Sequence, residues 1–121
     1  MSTNLLIIDD DEDIRLIVEA VLGDSGQFTV TSAATADAGL RLAAAMLPEV
    51  ILLDVLLPDL DGRELFSRLT ALPGLRDTKI IFMTAKSDSS VTAGLTACGI
   101  IRKPFNPLNL AEQVNQLIRT D

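Results

Sequence analysis

The residues best equipped for chemistry are two adjacent acids, Asp9 and Asp10, followed far along the chain by Asp54, Thr84 and Lys103. Each stands where a short apolar run stops: Leu5 to Ile8, Val50 to Leu53, Lys79 to Met83, and Gly99 to Ile101. Three carboxylates held within a few ångström of one another repel, and ionising all of them calls for a cation. The chain contains no histidine and a single cysteine, Cys98. An oxygen-only donor set of this kind selects a hard divalent ion, Mg²⁺ foremost. Lys103 adds a mobile positive charge suited to a phosphoryl oxygen or an unmodified carboxylate. Thr84 adds a hydroxyl donor for the same oxygen. The chemistry that uses all of these is phosphoryl transfer to a carboxylate, which forms an acyl phosphate.

Taken singly, each residue also has a plain structural explanation. The acids from Asp9 to Asp13 suit the start of a helix, where the dipole favours negative charge. Asp54 can open the Pro58-Asp59-Leu60-Asp61-Gly62 turn. Thr84 can cap a following helix, and Lys103 can be an ordinary surface cation. Convergence is what separates the two readings, and convergence depends on the elements that carry the residues.

Those elements alternate. The four apolar runs are nearly continuous, as expected of parallel strands covered on both faces. A fifth, Phe28 to Ala33, interleaves Thr29 and Thr31 with apolar residues and reads as a half-exposed edge strand. Between the strands lie helical stripes: Ile14, Ile17, Val18, Val21 and Leu22; Leu40, Ala43, Ala44 and Leu47; Leu65, Phe66, Leu69 and Leu72; and Leu110, Val114, Leu117 and Ile118. Asn106 and Pro107 suit the start of the last helix. Ser87 to Cys98, rich in Ser, Thr and Gly, predicts a short or irregular fourth helix. A strand-helix unit repeated five times implies a parallel sheet with right-handed crossovers, an α/β/α three-layer sandwich. In such a sheet the carboxyl ends of the strands form the ligand crevice, so four strand ends deliver the acids, the hydroxyl and the amine to one edge.

Composition narrows the alternatives. The 121 residues make one domain, 1–121. The chain is 48% hydrophobic but only 3% aromatic, so its core must be aliphatic. A net charge of −7 argues against nucleic acid and anionic membranes as partners. Lack of histidine excludes Ser-His-Asp and Cys-His catalytic sets and histidine zinc sites. No apolar run approaches the roughly 18 to 20 residues of a membrane span, and no basic segment precedes the first run. With Cys98 alone, no internal disulfide forms, and the expected location is the cytoplasm. Cys98 itself reads as a small buried residue.

Four segments together resemble the response-regulator receiver family of two-component signalling. They are Ile7-Ile8-Asp9-Asp10-Asp11-Glu12-Asp13-Ile14-Arg15; Ile51-Leu52-Leu53-Asp54-Val55-Leu56-Leu57-Pro58-Asp59-Leu60-Asp61-Gly62; Met83-Thr84-Ala85-Lys86; and Lys103-Pro104-Phe105. The resemblance runs from Leu5 to about Ile118. It implies a five-stranded sheet in the flavodoxin-like order 2-1-3-4-5 and a role for each matching position. Asp54 is then the phosphoryl acceptor, served by a histidine kinase or a histidine phosphotransfer protein. Mg²⁺ is held by Asp10, Asp54 and the backbone carbonyl of Leu56, with Asp9 acting through water. Thr84, Ala85 and Lys103 are phosphoryl-binding and switch positions, and the bond before Pro104 is a candidate cis peptide. The far face then changes its affinity for a downstream protein, as a stand-alone regulator that is a monomer or weak dimer. It is not a metabolic enzyme, catalysing only its own phosphotransfer and dephosphorylation.

Two departures bear on output. Family members usually place a Tyr or Phe three residues before the lysine, and here that position is Ile100. Thr84 and Lys103 are 19 positions apart, about one helical turn short of the family pattern, with the deficit in the fourth helix. These features support an alternative, a receiver-fold docking module that works without phosphorylation. A Mg²⁺-dependent phosphatase fits less well, since it needs a second acid two residues past the nucleophile, where this chain has Leu56. Asp59 and Asp61 read as solvated turn acids, Asp11 and Glu12 as caps of the first helix, and Gly62 as a permissive turn residue.

Overall fold

The computed structural model describes residues 2–84 and 99–119. The strands are β1 (Thr3–Ile8), β2 (Phe28–Ala33), β3 (Val50–Asp54), β4 (Lys79–Thr84) and β5 (Gly99–Arg102). Helix α1 (Glu12–Asp24) joins β1 to β2, α2 (Ala36–Met46) joins β2 to β3, and α3 (Gly62–Thr70) joins β3 to β4. A 3₁₀ turn, Pro107–Asn109, leads into α4 (Leu110–Arg119). All neighbouring strands are parallel, in the order β2-β1-β3-β4-β5. The fold class read from alternation, and the strand order implied by resemblance, are both present. The segment expected as a weak fourth helix, Ser87 to Cys98, lies outside the described residues, as do Ala85 and Cys98.

Why the central runs are continuous rather than alternating is visible in the packing. On β1, β3 and β4 successive side chains enter two separate cores. Leu6, Ile8, Ile51, Leu53, Ile80 and Phe82 pack on one face with α2 and α3. Leu5, Ile7, Val50, Leu52, Ile81 and Met83 pack on the other with α1 and α4. Burying about 1.5–3 kcal/mol of side chain at each such position is what holds the three layers together. Phe66 and Phe82 stack with centroids 5.6 Å apart in a largely aliphatic core.

Three expectations change. Gly99 to Ile101 was grouped with the doubly covered strands, yet β5 is an edge strand in which Ile101 is buried and Ile100 is 39% exposed. The stripe on α2 is displaced: Ala44 is exposed, and Leu47 has left the helix as a left-handed cap, φ 49°. Ala36, Gly39 and Ala43 form the buried face instead, with Leu40, Leu42 and Met46 against the core. Gly62 does not have a positive φ. Its requirement is space: an added Cβ would lie 2.7 Å from the Val55 Cα, while its N–H donates to the Val55 carbonyl at 3.2 Å.

Candidate functional site

Strand register carries the chemically able residues to one edge. Ile8 pairs with Leu53, so Asp9 and Asp54, the next residues, lie level. Asp54 pairs with Met83, one residue short of Thr84, and Thr84 pairs with Arg102, one short of Lys103. The ladder continues past the last pair, for the Lys103 N–H donates to the Thr84 carbonyl at 2.8 Å. Asp9, Asp54 and Thr84 are the buried polar side chains of the described residues, 0%, 6% and 3% exposed.

Each side chain is held differently. Asp9 Oδ1 accepts from the Asp11 N–H at 2.9 Å, and Oδ2 accepts from Lys103 Nζ at 2.6 Å. Asp54 Oδ1 accepts from the Leu56 N–H at 3.0 Å, while its Oδ2 lies 3.5 Å from the same Lys103 Nζ. Lys103 thus bridges two carboxylates from the fifth strand end, and the Lys103–Pro104 peptide bond is cis. Asp10 is exposed, but one carboxylate oxygen each from Asp9, Asp10 and Asp54 come within 4.8 Å of one another. Leu56 follows, 56% exposed, its backbone bridged to Asp61.

Electrostatics follow from this crowding. Burial pushes the Asp54 pKa above the ordinary aspartate value; the Leu56 N–H opposes it, Asp9 adds to it, and Lys103 opposes it, leaving the balance upward. For Lys103, burial works against the ammonium. The hydrogen bond from Lys103 to Asp9 and the charges of Asp54 and Asp9 together outweigh that, and its pKa is raised. A divalent cation would relieve the repulsion that acts on Asp54. The all-oxygen donor set, with one exposed and two buried carboxylates, fits Mg²⁺.

Two residues matter more than expected. Asp59 is not merely a solvated turn acid: it accepts from the Ala36 N–H at 3.0 Å and the Asp37 N–H at 3.2 Å, covering the start of α2. The Ala36 N–H chiefly holds its pKa below the usual value. No local signal announces this, because the helix lies more than twenty positions upstream. Arg15, quoted only as the end of a motif, donates from Nη1 to the Asp9 carbonyl at 2.8 Å. Asp11 caps α1 by accepting from the Asp13 and Ile14 N–H groups, and Asn106 accepts from the Leu108 N–H, as their sequence positions predict. Asp61 caps α3, accepting from the Arg63 N–H at 2.7 Å.

An open parallel sheet in this order, with acids, a hydroxyl and a lysine at its carboxyl edge, defines a flavodoxin-like α/β protein with a carboxylate pocket at the edge. The response regulator receiver domain model matches residues 5–115, and the chain belongs to that family, the receivers of two-component systems. The family is one of signalling domains rather than metabolic enzymes. The chain is 30% identical over 118 residues to response regulator Rre1 of Synechocystis sp., covering 95% of this chain and 51% of that protein. It is 33% identical over 116 residues to an uncharacterized 14.6 kDa protein of Leptolyngbya boryana, covering 93% and 88%. The chain spans about half the length of most of the curated relatives it matches. Among solved structures, chemotaxis response regulator CheY4 of Vibrio cholerae aligns with a TM-score of 0.90 at 26% identity, covering 97% and 99%. A response-regulator structure from Chloroflexus aurantiacus aligns at 0.88 and 31%, covering 98% and 99%. Among the described residues, no helix is long and apolar enough to cross a membrane.

Proposed function

We propose that residues 1–121 act as one receiver domain in which Asp54 accepts a phosphoryl group from a histidine kinase or a histidine phosphotransfer protein. The observation that carries this is the placement of Asp54: nearly buried, in a cluster with Asp9 and Asp10, and within reach of a lysine from another strand. Transfer breaks the phosphorus–nitrogen bond of the donor phosphohistidine and forms a phosphorus–oxygen bond to the Asp54 carboxylate. The electron pair of the broken bond stays on the imidazole.

Asp10, Asp54 and the Leu56 carbonyl are the groups that would hold Mg²⁺, with Asp9 acting through water. Bound there, the ion supplies neutralisation of the charge gathered on the phosphoryl oxygens. Lys103 is placed to exchange part of its pairing with Asp9 for the new phosphoryl oxygen. Thr84, at the end of β4, supplies a hydroxyl to the same group, with Ala85, next in sequence, as a further phosphoryl-binding position. Asp9, which accepts from the Asp11 N–H on one oxygen and from Lys103 on the other, also orients the lysine. The output is a changed affinity for a downstream protein, and the cytoplasm is the compartment that suits a lone thiol and a kinase partner.

Incubation with acetyl phosphate and Mg²⁺ tests the acceptor chemistry. A single phosphoryl adduct in the intact mass is expected, dependent on Mg²⁺ and lost in Asp54→Asn. An adduct retained by Asp54→Asn contradicts the reading.

A further inference from the structure

Asp10 is the acid of the cluster with the least support. It is exposed, and among the described residues its carboxylate makes no hydrogen bond or ion pair. What determines where it points is the backbone that leads into it. That backbone is tightly held at Asp9, whose N–H donates to the Ala33 carbonyl at 3.1 Å and whose carboxylate is held by Asp11 and Lys103. The Asp9 carbonyl is the remaining group, and Arg15 takes it at 2.8 Å from the first turn of α1. Because the peptide unit is planar, fixing that carbonyl also fixes the amide nitrogen of Asp10.

Arg15 is surrounded in sequence by Asp9, Asp10, Asp11, Glu12 and Asp13, yet no ion pair to any of them is present among the described residues. A guanidinium ordinarily prefers a carboxylate fork. Here it is half-buried and committed to a backbone carbonyl. We infer that Arg15 is a positioning residue for the cation site, holding the Asp9–Asp10 peptide so that the Asp10 carboxylate stays beside Asp54. The inference rests on the proposed reading of that site as a Mg²⁺ site.

Charge and positioning predict opposite signs. Removing a cation near three carboxylates strengthens Mg²⁺ binding if Arg15 acts only through its charge. Removing a residue that orients a ligand weakens it, by about tenfold for outer partners of metal ligands. The test is titration calorimetry of MgCl₂ into the full chain for wild type, Arg15→Ala and Arg15→Lys, with melting temperatures taken in chelator. Arg15→Ala is expected to bind about tenfold more weakly, and Arg15→Lys, which keeps a donor, to recover part of the loss. A purely structural role would lower the melting temperature and leave Mg²⁺ affinity unchanged. Unchanged or tighter binding by Arg15→Ala overturns the inference. Should that variant not fold, Arg15→Gln carries the same comparison of sign. Wild type that takes up no Mg²⁺ overturns the site reading itself, a result distinct from equal affinities in wild type and variant.

Discussion

At the scale of single residues, the site is a balance of charges that does not cancel. Burial and Asp9 raise the Asp54 pKa more than Leu56 and Lys103 lower it. A carboxyl whose folded pKa lies above its unfolded one destabilises the fold once ionised, and stability is recovered as pH falls through the folded value. The neutral isostere Asp54→Asn keeps an oxygen to accept from Leu56 and removes the charge. In metal-free buffer at neutral pH it is expected to melt higher than wild type, and a lower melting temperature would contradict the charge balance described. The identities of Asp9, Asp10, Asp54, Thr84 and Lys103 were legible because each ends an apolar run. How they share partners was not. That Lys103 sits closer to Asp9 than to Asp54 depends on distances between strands, which spacing in sequence cannot supply.

Elements depend on one another through loops. Asp59, in the loop after β3, covers the first amides of α2, so the loop that follows Asp54 and a neighbouring helix are tied together. Its folded pKa is depressed, so the stabilisation is complete above the unfolded value and fades as pH falls through the folded one. Thermal melts of wild type and Asp59→Asn should therefore differ most at neutral pH, wild type higher, and converge below about pH 4. A gap that persists unchanged into acid would assign the effect to something other than the carboxylate charge. Gly62 is the second tie. An added methyl has nowhere to go against the Val55 backbone, so Gly62→Ala is expected to lose about 1–3 kcal/mol by denaturant unfolding. Little or no loss would show that the loop yields. Strands and most helices were legible because two-sided burial leaves continuous apolar runs. The failures have separate causes: Leu47 fitted a helical stripe, but the helix stops at Met46 and Leu47 caps it. Gly62 was read for conformational freedom when its role is close approach.

For the whole molecule, the sheet is the device that makes distant residues neighbours. Lys103 and Asp9, 94 positions apart, meet because β1 lies beside β3, β3 beside β4 and β4 beside β5. Anything that binds this edge in the folded chain alone must stabilise all of it. Mg²⁺ at about 100 times its dissociation constant is expected to add about 2.7 kcal/mol, seen as a rise in melting temperature. Asp10→Asn should blunt that rise while folding normally in chelator, and an undiminished rise would place the ion elsewhere. Strand order was legible only through resemblance, since alternation alone fits several parallel orders. Ile100, on the edge strand beside Phe82, stands where the family usually has an aromatic ring.

The chemistry proposed for this edge comes down to one carboxylate. Borohydride reduction of the chain after phosphorylation by acetyl phosphate converts an acyl-phosphate aspartate to homoserine, and peptide mass mapping locates it. Conversion at Asp54 alone, requiring Mg²⁺, is the expected result. Conversion at Asp9, Asp10 or another acid, with Asp54 intact, would contradict it.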